Sequence, residues 1–412
     1  MQQKINKNIL FVTTANFTTN PRLLKEVIVA GSKYSVSVIV FDLGNWSQKI
    51  DKGIIKDLQI QSLKYLPATK KNIVLWFFSV LVERISRFLY PLLKNNIFIS
   101  AFASDRRSFI LWLYLLSLKN KPNLVVGHNL GTLYPIFFFS KQKKIPFLFD
   151  FEDYYPGETI DNDQRNEFKR RISLIKKLVP HAAWYTYASP LIGDQIKKLL
   201  NINDNNKCSY IKNSFFSNEF HNDKTLEKSK IKFVWFSQYI SLRRGLSYII
   251  PHLIKYRKEI ALTLIGQIIN PKEEEYLHTL SDFITIVKPL PQKELHQFLC
   301  EFDTGLALEI SENDFNRDIC LTNKIFAYAQ AGLYILATDT KSQLKFLEEY
   351  PDLGVLVKQK NKDFKSISFI IKNIETIRES KKDRFKTGQK LSFDNEKAVL
   401  QSVWLNSLVS KL

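Results

Sequence analysis

In this chain of 412 residues, the side chains best placed for chemistry concentrate between Leu306 and Gly332. The stretch reads as a strand, a polar loop, and a helix that begins at Thr322 and stops at Gly332. Thr322 carries the hydroxyl of an N-cap, and Gly332 suits the left-handed position after the last turn. A helix N-terminus presents unpaired N–H groups and a partial positive charge, so it attracts anions. Lys324 in the first turn and Arg317 in the loop add full charges where a cation is unfavourable unless an anion joins it. This is the pattern of a phosphate cradle; the alternative is a solvated loop carrying a surface lysine. Two more groups follow strand-like runs, His128 after 123–127 and Glu152-Asp153 after 146–150. An imidazole or carboxylate there would orient a hydroxyl or take its proton. The alternatives are a loop histidine and a carboxylate pair at a helix N-terminus. The six histidines do not cluster, so neither a metal nor a cofactor is expected.

The elements that must position these residues fall into two series. Apolar runs at 9–13, 36–41, 123–127, 146–150, 183–187 and 209–211 alternate with helical segments, and five more follow at 232–236, 262–266, 284–287, 304–308 and 334–338. Strand, helix, strand is the order of a parallel sheet with crossover helices. The expected fold class is α/β, with two Rossmann-like doubly wound parallel-sheet domains facing a cleft. Ligand sites in such sheets lie at the carboxyl ends of strands. The polar stretch 218–230 is the expected boundary. It divides an N-terminal domain (1–217) from a C-terminal domain (218–395), with a last helix (396–412) that would pack back on the first.

In its landmarks the chain resembles the family 4 glycosyltransferases, which have the GT-B fold. The helix segment Thr322-Asn323-Lys324-Ile325-Phe326-Ala327-Tyr328, then Gly332 and Thr338-Asp339, is similar to the nucleotide-sugar site of those enzymes. Trp235-Phe236-Ser237-Gln238 followed by Arg243-Arg244-Gly245-Leu246 resembles the first strand and loop of the donor domain, where a basic residue before glycine approaches the diphosphate. Thr18–Glu26, Gly127-His128-Asn129, Asp150-Phe151-Glu152-Asp153, Ala188-Ser189-Pro190 and Asn213 match in order through the first domain. The resemblance implies donor contacts from Gln238, Arg243, Arg244, Gly266, Asn316, Arg317, Thr322, Asn323 and Lys324. It places His128, Glu152, Asp153 and Glu309 as catalytic candidates. Lys324, Arg244, Arg317 and the helix amides would stabilise charge on the departing phosphate.

The resemblance also has gaps. The family's two glutamates, seven residues apart, are absent in that form. Counting back from Gly332 puts Ala327 where the second should stand, and Glu309 or Asn316 is left to substitute for the first. The implied activity is transfer of a sugar from a nucleotide-sugar to a lipid-linked or saccharide acceptor, retaining and metal-independent, in surface polysaccharide or glycolipid synthesis. The alternative is a catalytically silent GT-B protein that binds or regulates.

Charge and composition set the surroundings. Residues 1–149 hold 21 Lys and Arg against 6 Asp and Glu, a net of +15 within a total of +20. Between Lys70 and Lys121, nine cations interleave with aromatic runs. That combination suits an anionic membrane surface, where rings sit at headgroup depth; core helices with solvated cations are the other reading. No nucleic-acid recognition motif accompanies the charge, so no nucleic-acid partner is expected. Three scattered cysteines fit a reducing compartment. With no apolar run long enough to cross a bilayer, the expected location is cytoplasmic, peripheral on the membrane's cytoplasmic face.

Overall fold

The computed structural model describes residues 5–44, 47–56, 58–160, 163–202, 207–221, 230–312, 314–358 and 365–409. Most of the polar stretch expected at the boundary, 222–229, lies outside the described residues. The chain divides into two compact units, 1–211 with 396–412, and 212–395.

The first unit carries β1 (Ile5–Thr13), α1 (Pro21–Gly31), β2 (Tyr34–Asp42), α2 (Ser47–Ile55), β3 (Ser62–Pro67), α3 (Ile73–Leu89), α4 (Ile97–Ser104), α5 (Arg106–Ser117), β4 (Leu124–His128), α6 (Leu130–Lys143), β5 (Phe147–Phe151), α7 (Gln164–Leu178), β6 (Trp184–Tyr187), α8 (Pro190–Leu200) and β7 (Cys208–Tyr210). Its seven strands form one sheet in the order β3-β2-β1-β4-β5-β6-β7, with every pairing parallel. β4 and β5 are buried along their whole length, as strands covered on both faces must be. The chain works outward from β1 to β3, returns to β4, and works outward again. Right-handed crossovers then place helices on both faces, with the reversal between β1 and β4.

The second unit carries β8 (Ile231–Ile240), α9 (Leu246–Leu253), β9 (Ile260–Ile268), α10 (Pro271–His278), β10 (Ile284–Val287), α11 (Gln292–Leu299), β11 (Thr304–Ala307), α12 (Phe315–Ile319), α13 (Asn323–Gln330), β12 (Tyr334–Thr338), α14 (Lys341–Glu349), β13 (Gly354–Val357), α15 (Lys365–Lys372), α16 (Ile374–Glu379) and α17 (Lys381–Lys390). Its six parallel strands run β10-β9-β8-β11-β12-β13, reversing between β8 and β11. Phe215 and Phe220 already belong to its core. The last helix, α18 (Lys397–Val409), belongs to the first unit. There Trp404 is fully buried, edge-on to Phe11 and Tyr34 with ring centres 5.9 and 6.2 Å away.

The two parallel α/β sheets are those the sequence predicts, but two strands were not foreseen. β3 and β13 each lie at an edge of their sheet. In β3 only Leu66 is buried, and β13 has four residues. β3, Ser-Leu-Lys-Tyr-Leu-Pro, lacks the continuous apolar run of the central strands, whereas β13, Gly-Val-Leu-Val, is apolar but short.

Candidate functional site

The C-terminal switch point gathers cations. β8 ends in a short 3-10 turn, Leu242–Arg244, and Gly245 then takes φ +92°. A Cβ on Gly245 would lie 2.7 Å from Leu308 Cβ, so only glycine lets the chain turn here into α9. The turn leaves Arg244 beside the strand end, where its Nη1 donates to Ser237 Oγ at 2.6 Å. Gly266 on β9 serves the same corner, because a Cβ on it would meet the Ser237 carbonyl oxygen at 2.5 Å.

Glu309 stands just past β11. Its N–H donates to Thr338 Oγ1 at 2.9 Å, and that hydroxyl contacts the Glu309 carbonyl at 2.8 Å. With the backbone thus fixed to the end of β12, the buried carboxylate accepts from Lys324 Nζ at 2.7 Å and from Arg317 Nη1 at 3.4 Å. Asp314, whose side chain caps α12, steadies Arg317 from the other side at 3.4 Å. Lys324 Nζ also lies 5.9 Å from the centre of the buried Trp235 ring.

The electrostatics are lopsided. Burial alone would raise the Glu309 pKa, but Lys324 and Arg317 hold it below the ordinary carboxylate value. Burial and then repulsion from Arg317 push the Arg244 guanidinium below its usual range, with Glu309 opposing. Three cations thus share one buried carboxylate, and an incoming anion would relieve the crowding. Thr322 occupies the N-cap of α13 but, contrary to the sequence expectation, makes no capping hydrogen bond. Among the described polar atoms, Asn323 Oδ1 in the first turn is buried without a partner.

The remaining donor candidates divide. Asn316 is buried on α12, while Gln238 and Arg243 are exposed. Ala327 lies in the hydrophobic core of the second unit with no exposure, so α13 offers no carboxylate to a ribose at that position.

In the first unit a different cluster closes on itself beneath the β1/β4 switch point. Asp150, at the end of β5, takes Arg22 Nε and Nη2 at 2.5 and 2.8 Å, and Arg22 Nη1 donates to the Ile211 carbonyl at 2.8 Å. His128 Nδ1 lies 3.0 Å from Glu152 and 3.4 Å from Asp150, and its Nε2 lies 3.7 Å from Glu26. Burial would depress the imidazole's pKa, but Glu26, Asp150 and Glu152 outweigh it and hold the ring protonated well above its usual range. An imidazolium has no lone pair for a proton, so the expected role of His128 as a base does not suit its surroundings. Asp150, drawn down by Arg22 and His128 against its burial, stays ionised. Glu26, His128 and Asp150 lie close enough for a shared metal ion, but Arg22 already occupies both Asp150 oxygens. Such a fork and an imidazolium are poor company for a cation.

Glu152 is tied down as well. It accepts from Asn20 Nδ2 at 2.7 Å and from Asn129 Nδ2 at 3.1 Å besides facing His128. Asn129 adopts φ +69° and ψ 144°, a costly backbone for a residue with a Cβ, and this network holds it there. Asp153, of the acceptor-side candidates, lines a cavity. That cavity, about 580 Å³, opens at the carboxyl ends of the first unit's strands and is lined by Thr14, Asn129, Gly131 and Asp153, with Arg106, Arg107 and Glu158. The sequence reading missed Arg22, Glu26 and Asp150 as parts of an ion network. Its trace was three charges, Arg22, Lys25 and Glu26, within the first turns of a helix whose other residues are apolar.

No family model and no curated protein matches the sequence. Solved structures do match in shape. HepE of Anabaena, in complex with UDP and glucose, superposes with a TM-score of 0.66 at 11% identity, covering 97% of this chain and 100% of that one. Sucrose-phosphate synthase from Thermosynechococcus elongatus gives 0.66 at 12% identity, covering 97% and 98%. A UDP-N-acetylglucosamine 2-epimerase gives 0.57 at 12% identity, covering 98% and 96%. What these proteins share with this chain is the fold: two parallel-sheet α/β domains of the GT-B kind. Transferases and an epimerase both use it, so activity must be argued from the site.

Proposed function

We propose that this protein is a glycosyltransferase, similar to family 4, that takes a sugar from a nucleotide-sugar and passes it to a lipid-linked or saccharide acceptor. The observation that carries the reading is the cation cluster of Arg244, Arg317 and Lys324 around a single buried carboxylate at the β8/β11 switch point. Cleavage of a sugar–diphosphate bond builds negative charge on the departing phosphate, and fixed cations lower that barrier. Lys324 and Arg317 would exchange Glu309 for phosphate oxygens, and Arg244 would lose the repulsion it now bears. Glu309 then acts as the resident counter-ion that keeps both cations aimed before the donor arrives. Retention of anomeric configuration and independence of metal are part of the proposal, as are a role in surface polysaccharide or glycolipid synthesis and a cytoplasmic, membrane-peripheral location. HepE's UDP makes uridine diphosphate sugars the first donors to try.

On the acceptor side, the proposal moves from His128 to Asp153, which lines the first unit's cavity. His128 and Glu152 are positioning residues that hold the strand ends in place. The test is transfer of label from radioactive nucleotide-sugars into a lipid or saccharide fraction, with and without EDTA. Transfer that survives EDTA and keeps the anomeric configuration by NMR is expected. Label that remains on the nucleotide with every donor and acceptor, while nucleotide still binds, would favour the silent binding protein. Ala327, buried where a ribose-binding glutamate is expected, is the observation on that side.

A further inference from the structure

α3 is built inside out. Among its residues only Ser79 and Ser86 are buried. These small polar side chains lie seven positions apart, on one face, and the helix packs on α4 and α5. Arg87 makes another polar contact, donating to the Ala103 carbonyl of α4 at 3.0 Å. The large apolar side chains point the other way. Ile73, Phe77, Leu81, Ile85 and Phe88 follow one another at steps of four or three, flanked by Val74 and Phe78, and all are exposed. Phe77 is 55% exposed, Phe88 79% and, just beyond the helix, Leu92 80%. A helix in water presents the reverse arrangement, and an uninterrupted apolar stripe of this length on a protein surface marks a contact site.

The charges around the stripe say what it contacts. Lys70 and Lys71 stand before the helix, Lys94 just after it, and Arg84 at the stripe's edge, all exposed. From 70 to 121 there are nine Lys and Arg against Glu83 and Asp105. At 17 residues α3 is too short to cross a bilayer, and no helix among the described residues is long and apolar enough to do so. A helix with one apolar face and cations at both ends instead lies in the plane of the interface, rings among the acyl chains and cations at the headgroups.

We infer that α3 seats the protein on an anionic lipid surface by its Ile73–Phe88 stripe, with Lys70, Lys71, Arg84 and Lys94 at headgroup level. This deepens the membrane part of the proposed function, and it holds whether or not the second unit transfers sugar. Glu83 of the same helix lines the 580 Å³ cavity that also holds Asp153. A headgroup-bearing acceptor lying in the membrane would therefore be within one helix of the proposed acceptor pocket.

The test is flotation of the full chain with vesicles of phosphatidylcholine, with and without phosphatidylglycerol. The protein should float with the anionic vesicles, less at high salt, and only weakly with neutral ones. Phe77→Glu with Phe88→Glu should lower partitioning at least tenfold, since burying apolar area is what holds such a helix. Replacing Lys70, Lys71 and Lys94 by Gln should cost about fivefold each and flatten the salt dependence. Both phenylalanines are exposed, so the melting temperature should not change, and UDP should shift it equally in the variant and the parent if the donor reading holds. Flotation indifferent to the Phe→Glu changes and to lipid charge would overturn the inference. So would a stable dimer by light scattering that the Phe→Glu pair dissolves, in a protein that ignores vesicles.

Discussion

The two charge clusters of this protein use the same residue types to opposite ends. Beneath the β1/β4 switch, Arg22 and His128 face Glu26, Asp150 and Glu152, and nearly every charge meets its opposite away from water. Beside the β8/β11 switch, Arg244, Arg317 and Lys324 face the buried Glu309, with Asp314 beside Arg317, so cations outnumber carboxylates, and Arg317 and Lys324 keep part of their surface in solvent. A cluster that is paired and sealed sets geometry. A cluster with an excess of one sign and an opening is prepared for a ligand of the other sign.

The difference predicts different failures. The largest effect should come from the sealed cluster: Asp150→Ala leaves Arg22 buried and unpaired, and should cost about 3–5 kcal/mol in urea unfolding. If it costs less than about 1 kcal/mol, the network is not a structural scaffold. Next comes the open cluster. Lys324→Ala and Arg244→Ala should each reduce sugar transfer about 10²–10³-fold; Arg244→Ala should leave the melting temperature nearly unchanged, whereas Lys324→Ala should lower it because the buried Glu309 loses its nearest partner. A loss of stability without loss of transfer would reverse the two roles.

Titration separates the clusters again. Asp150 and Glu309 have folded pKa values below their unfolded ones, so their stabilisation is complete above about pH 4 and lost as pH falls through the folded values. His128 has the opposite sign. Its contribution is complete below its unfolded value of about 6.5 and is lost as pH rises through its raised folded value. Melting temperature against pH should therefore fall at both ends, and His128→Gln should flatten the alkaline limb and, because His128 also helps to hold Asp150 ionised, change the acid limb to a smaller degree. The smallest effect belongs to Arg243→Ala. That side chain is exposed next to Arg244, so transfer should change by less than about threefold, in keeping with a surface charge.

Much of this was legible in the sequence, and the parts that were not have a common cause. Central strands such as 123–127 and 304–308 show as apolar runs because both their faces are covered; the edge strand β3 alternates apolar with exposed polar residues and carries no such signal, and β13 is apolar over four residues only. Lys324 and Arg317 stood out because cations are out of place at a helix start. Their shared partner Glu309 lies 15 residues from Lys324, and the fold of the loop and α12 between β11 and α13 brings them together. His128 was read as an accessible base because it follows a strand. Its burial depends on Glu26 and Asp150, which come from elements 102 residues before it and 22 after, and spacing along the chain cannot reveal that. The aromatic stretch 70–121 was visible as composition, but its inverted orientation became apparent only when Ser79 and Ser86 were found on the inner face.

The central claim is that the open cluster of the second unit binds a diphosphate through Lys324. Calorimetric titration of the protein with UDP tests it most directly, with Lys324→Ala as the paired measurement. Saturable one-site binding is predicted for the parent, weakened at least tenfold in the variant. The claim fails if neither UDP nor any other nucleoside diphosphate binds, or if the variant binds as tightly as the parent.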